Sequence, residues 1–174
     1  ATHLRLALAH KPEFPEAYVA LSNVHDSQGD TAAAIAALES ALAQRPEYVG
    51  ALYNYAVVLR SAGRLHEAES ALRRAAGIEP DNVRVRLDLA GLLRARGALA
   101  DAELLLLSTL RLAPGDADAH AALFHVYESQ GKLAEAAGAL EQALQQRPDW
   151  VGALNNYGNV LKKLRRMSDA ETAF

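Results

Sequence analysis

The chain has no cysteine, one methionine, one tryptophan and only 6% aromatics among its 174 residues. Without cysteine there is no disulfide and no thiolate metal site, although the compartment stays unnamed. Scarce aromatics and β-branched residues argue against a strand-rich core. No run of about 18 apolar residues exists, so nothing here is built to insert in a bilayer. No signal peptide is visible, and with no other address the cytoplasm is the favoured default. The first residue is Ala1, so the native N-terminus is expected upstream. Neither charge predominates: the formal net charge is −3 with both signs interspersed, which argues against a nucleic-acid partner.

Catalytic signatures are missing as well. There is no Gly-rich phosphate loop, His-Glu-x-x-His or Gly-x-Ser-x-Gly. His120 and His125 are five apart, which does not set two ligands on one helix face. His25 falls on a core stripe and reads as structural. Glu67 and Glu69 read as surface charge, and Tyr18, Tyr55 and Tyr157 stand at core spacing, not as a stacking platform. No catalytic residue, cofactor or metal is expected.

What the chain does have is alanine and leucine, which supply most of its 51% hydrophobic content and favour helix. It also has a period. Pro12, Pro46, Pro80, Pro114 and Pro148 are spaced by 34 residues. Gly29, Gly63, Gly97 and Gly131 keep the same period, as do Ala34, Ala68, Ala102, Ala136 and Ala170. Leu4, Leu38, Leu72, Leu106 and Leu140 form a fourth register that Phe174 continues. The glycine suits the left-handed residue that ends a first helix, and the proline stops a second helix from running on. Core residues of the first helix recur at i, i+3 and i+7, as in Tyr18, Leu21 and His25 or Leu52, Tyr55 and Leu59. The periodic alanine marks a close approach of two helices, with the leucine four residues later filling the space beside it.

This pattern resembles the tetratricopeptide repeat (TPR) family over the whole chain. The resemblance implies an all-α, right-handed superhelical solenoid of antiparallel helix pairs. Full units are expected at 15–48, 49–82, 83–116 and 117–150. Residues 1–14 read as a partial second helix of a preceding unit, and 151–174 as a truncated unit. Arg86 and His120 stand where a large apolar residue is usual. Phe124 replaces a small residue (Ser22, Ala56, Ala90 and Gly158 elsewhere), so altered packing is expected in the fourth unit. Arg165 replaces the helix-ending glycine, so the last turn should be poorly fixed. Both ends fall inside a helix, so the chain reads as a fragment whose open ends could stack between molecules.

In TPR proteins the first helices line a concave groove where partners lie. Carried onto this chain, that implies a peptide-binding surface containing Asn23, Tyr53, Asn54, Arg60, Arg84, Asp88, Arg94, His125, Asn156 and Asn159. Asn23, Asn54 and Arg84 match part of the carboxylate clamp of chaperone-binding TPR modules. Val19 and Asp88 do not, and Asp88 puts a negative charge where the anion would sit. Arg84 and Asp88 could instead pair at i, i+4, and the clamp is rejected. The run Asn155-Asn156-Tyr157-Gly158-Asn159-Val160-Leu161 resembles the TPR arms of O-linked N-acetylglucosamine transferases, where an asparagine ladder holds substrate. Here the ladder is broken at Asp88 and Ala122. Solvated helix asparagines are the alternative. Arg60, Arg84 and Arg94 make one stretch basic, and Asp118 and Glu128 make the next acidic, a polarity that would orient an acidic segment.

Three functions follow as expectations. The first is a non-catalytic scaffold for a protein or peptide ligand, the second the substrate arm of a larger enzyme such as a glycosyltransferase, and the third a self-assembling array. The Ala- and Arg-rich composition points to a bacterial source with a GC-rich genome.

Overall fold

A computed structural model describes the backbone of residues 13–171 and the side chains as far as Arg165. The expected partial helix at 1–14 therefore lies outside the described residues, apart from Glu13 and Phe14. Among the described residues there are nine α-helices and no strand. They are α1 (Pro15–Ser27), α2 (Thr31–Gln44), α3 (Val49–Ser61), α4 (Leu65–Ile78), α5 (Val83–Ala95), α6 (Leu99–Leu112), α7 (Ala117–Ser129), α8 (Leu133–Gln146) and α9 (Val151–Glu171). The chain divides into two compact units, Ala1–Val85 and Arg86–Phe174, with the division inside α5. In the first unit α1 packs on α2, α3 on α4, and α2 and α1 both touch α3. In the second, α6 packs on α7, α7 on α8, and α8 on α9.

The four periodic glycines all have positive φ, between 75° and 79°. Each closes its helix in the same way. After α1, the Gly29 N–H donates to the Asp26 carbonyl at 2.9 Å and the Asp30 N–H to the His25 carbonyl at 2.9 Å. These two bonds satisfy carbonyls that the helix end leaves open, and they require a left-handed residue between them. The pattern repeats at Gly63, Gly97 and Gly131. Asp30 then caps α2 by accepting from the Ala33 N–H at 3.1 Å, and Asp116 caps α7 through the Ala119 N–H at 2.7 Å.

At the corresponding point of the last unit, Arg165 stands in place of glycine, and α9 runs unbroken through it to Glu171. The expected turn is absent. An L-residue disfavours the left-handed conformation, so nothing there interrupts the helical hydrogen bonds.

The core is the alanine–leucine register. Ala34, Ala68, Ala102 and Ala136 have no exposed surface, and Leu38, Leu106 and Leu140 have none either. A third register of the second helices reads Ala41, Ala75, Thr109, Ala143, all fully buried. The threonine answers one misfit flagged in the sequence. Arg86 on α5 donates its Nε to Thr109 Oγ1 at 2.8 Å and an Nη2 proton to Ser108 Oγ. Thr109 in turn donates to the Leu105 carbonyl at 2.7 Å. A half-buried guanidinium is thus satisfied by hydroxyls on its partner helix, where Leu52 makes the apolar version one period earlier. His120, the second misfit, turns its Nε2 to the Pro114 carbonyl at 2.9 Å.

Glu69 corrects the sequence reading. It is 8% exposed, not surface charge, and its carboxylate meets Arg73 at 2.8 Å across one turn of α4. Glu67 is exposed and pairs with Arg64 at 2.6 Å, which lowers its pKa through that hydrogen bond.

The sequence carries a second, longer recurrence. Arg45, Pro46, Tyr48, Gly50, Asn54 and Tyr55 reappear three periods later as Arg147, Pro148, Trp150, Gly152, Asn156 and Tyr157. The contacts reappear too. Arg45 pairs with Glu16 at 2.8 Å and lies 5.0 Å from the Tyr48 ring centre, while Arg147 pairs with Asp118 at 2.9 Å and lies 3.7 Å from Trp150. Tyr55 donates to Glu39 at 3.0 Å, and Tyr157 donates to Glu141. Tyr55 has its pKa raised chiefly by burial and then by Glu39, and Tyr157 chiefly by the Glu141 carboxylate.

Candidate functional site

The sequence-predicted groove residues lie on α1, α3, α5, α7 and α9, the first helices of successive pairs. In the first compact unit, Asn54 on α3 donates Nδ2 to Asn23 Oδ1 on α1 at 3.4 Å. Arg84, at the start of α5, lies 4.6 Å over the Tyr53 ring centre and donates Nε to the Tyr53 hydroxyl at 3.0 Å. A single guanidinium can stack and donate at once because its plane carries N–H groups along the edge. Around these side chains is an open cavity of roughly 320 Å³, lined by Val19, Val49, Gly50, Tyr53, Asn54, Glu79, Asn82, Arg84 and Val85. Asn82 also caps α5 by accepting from the Val85 N–H at 3.2 Å. Arg60 is exposed near the end of α3.

In the second unit, a cavity of roughly 280 Å³ is lined by Phe124, Glu128, Asn156, Asn159, Lys162 and Lys163. Lys163 on α9 meets Glu128 on α7 at 2.9 Å. Phe124 is only 2% exposed, with its ring 4.6 Å from that of His125 and tilted by 49°. His125 itself is on the exposed side of α7, but its neighbours partly shield the ring. That shielding, and then the charge of Arg94, hold its pKa below the ordinary imidazole value. Asp88 is half-buried and Arg94 exposed, both on α5.

The structure therefore brings Asn23, Tyr53, Asn54 and Arg84 together, and Asn156 with Asn159. Sequence reasoning overlooked Glu79 and Asn82, which stand in the turn before α5 and carry no groove periodicity. It singled out Phe124 as a packing misfit without seeing it as a cavity wall. Among the described residues no cluster of three or more His, Asp or Glu side chains could hold a metal. No described helix is long and apolar enough to cross a membrane.

A family model described as "Tetratricopeptide repeat" matches residues 59–123, and a second of the same description matches 19–82 and 121–174. The chain belongs to the tetratricopeptide repeat family. Its all-α fold of helix pairs is that of a TPR solenoid.

Solved TPR structures agree. A thermophilic TPR protein of Thermus thermophilus is 26% identical, with a TM-score of 0.71 over 92% of this chain and 88% of that one. A TPR protein from Parabacteroides merdae is 18% identical, with a TM-score of 0.81 over 98% of this chain and 70% of its own. YrrB, described as a TPR protein with an unusual peptide-binding site, is 20% identical, with a TM-score of 0.74 over 93% of this chain and 84% of that one. No curated protein sequence matches the chain. TPR repeats in general mediate protein–protein interaction and are not themselves catalytic.

Proposed function

We propose that this TPR array is a non-catalytic scaffold that holds an extended protein segment along its first helices. One observation carries the reading: each compact unit has an open cavity walled by first-helix asparagines, Asn54 in one and Asn156 with Asn159 in the other. An amide donates and accepts from the same side chain, as a peptide backbone does, so amides along a surface grip extended chain with little demand on its sequence. The peptide-binding site named for YrrB supports the same use of the fold.

The test is to pan a library of short random peptides on the immobilised chain and on an Asn54→Ala/Arg84→Ala variant. Asn54 and Arg84 are half-buried and exposed respectively, so the variant should fold. Loss of part of the enriched pool in the variant is expected. Identical pools for parent and variant would sink the assignment of this surface.

A second reading, end-to-end association, has its own observation. Leu154 and Leu161 on α9 are 46% and 44% exposed, whereas Leu52 and Leu59, three periods earlier, have no exposed surface. An apolar stripe of this kind calls for a covering helix. Sedimentation velocity over a wide concentration range tests it, with Leu154→Glu/Leu161→Glu as the control. A parent that stays monomeric throughout removes this reading.

A further inference from the structure

The cavity of the second unit differs from its counterpart in having polar groups with nothing to hold. Asn156, Asn159 and Lys162 have no side-chain hydrogen-bond partner among the described residues. In the first unit, by contrast, Asn54 is bonded to Asn23 and Arg84 to Tyr53.

Among the described residues, the charges lining this cavity are arranged around one open cation. Asp26, Arg60, Arg94, Glu128 and Lys162 occupy one register position of successive first helices. Glu128 is answered by Lys163 at 2.9 Å. That pairing cancels its charge locally and leaves the Lys162 ammonium as the uncompensated charge on the cavity rim. Phe124 lines the same cavity and is only 2% exposed, so it gives the cavity a fixed apolar floor. A volume of roughly 280 Å³ admits one side chain of moderate size, not a folded surface.

Resting on the scaffold reading above, we propose that the α7–α9 cavity is a side-chain pocket selecting a glutamate or aspartate of the bound segment. Asn156 and Asn159 hold the backbone on either side of that residue, Lys162 takes its carboxylate, and Phe124 packs on its methylene stem. A phosphate is the poorer fit, because phosphate recognition calls for several guanidinium donors and this rim offers one ammonium. Selection arises at the rim because the ammonium meets a full opposite charge only in a carboxylate, and that ionic hydrogen bond is worth more than one to a neutral amide or hydroxyl.

The experiment pans the same library of short random peptides on the parent chain and on Lys162→Gln, each verified as folded by circular dichroism. Lys162 is exposed and without a partner among the described residues, so the substitution leaves the core untouched. The expected result is enrichment of Glu or Asp at one position on the parent, falling to the naive frequency on Lys162→Gln. A fluorescent copy of the most enriched peptide should then lose about tenfold in affinity when its acid is changed to the amide. On Lys162→Gln the same acid-to-amide change should make little difference. Enriched peptides without acidic preference, or with a preference that survives Lys162→Gln, overturn the pocket while leaving the scaffold standing. Failure to enrich any peptide overturns both.

Discussion

Asn54 and Asn156 hold one register position three periods apart, with the same glycine four residues before and the same tyrosine one residue after, yet they are used differently. Around Asn54, the cross-helix position on α1 is Asn23, whose amide accepts from it at 3.4 Å. Around Asn156, the equivalent position on α7 is His125, whose ring leans on Phe124. Tyr53, held under Arg84, becomes Asn155, and Val57 becomes Asn159. The first unit ties Asn54 and Arg84 to its own side chains, whereas Asn156 and Asn159 have no such partner among the described residues. One register thus gives a closed and an open version of one surface, and the choice rests on a few side chains.

The comparison breaks most easily through the core. Leu72→Ala and Leu140→Ala remove side chains that are 3% and 0% exposed, and each should cost about 2–5 kcal/mol in denaturant unfolding. If the two units respond alike, their difference lies in the surface alone. A next-largest effect is expected at the turns. Gly63→Ala puts an L-residue at a φ of 75° and should lower stability by about 1 kcal/mol or more. Arg165→Gly should shorten α9 by letting it end there, seen as faster amide exchange beyond residue 165.

Affinity changes come next. Asn156→Ala should weaken a selected peptide more than Asn23→Ala does, because Asn23 is already engaged with Asn54. Anisotropy titrations that rank them the other way would reverse the assignment of open and closed. The smallest effect is in pH. His125 has a depressed pKa in the folded chain, so in the window below the ordinary imidazole value the unfolded state binds the proton first. Stability from this site is fully present above that window and falls as pH drops through it. Melting curves of His125→Gln should be flatter there than those of the parent, whereas Asn23→Gln should change nothing.

How much of this was legible depended on distance along the chain. The helix pairs were legible because glycine and proline act within a few residues of where they stand, and the φ values at Gly29 to Gly131 are a local matter. Register also placed Asn23, Asn54, Asn156 and Asn159 on the first helices of their pairs. The partners of Arg84 and Arg86 were not legible, since Tyr53 is 31 residues away and Thr109 is 23. Thr109 did leave a trace, as the one hydroxyl in a register of alanines, but nothing in the sequence ties it to Arg86. Glu69 was misread because helix periodicity places it near the edge of the apolar face, and only packing decides on which side of that edge a carboxylate lies.

The Arg86–Thr109–Ser108 contact bears on how a repetitive chain avoids joining the wrong pieces. Its second helices are near copies of one another, so a first helix meets several plausible mates while the chain is still collapsing. Against Ala41, Ala75 or Ala143, Arg86 would miss the buried hydroxyl that Thr109 offers, and beside Ala75 its next neighbour would be another cation, Arg74. Only α6 answers with both hydroxyls, so among look-alike helices α5 carries a lock that one segment of the sequence is cut to open.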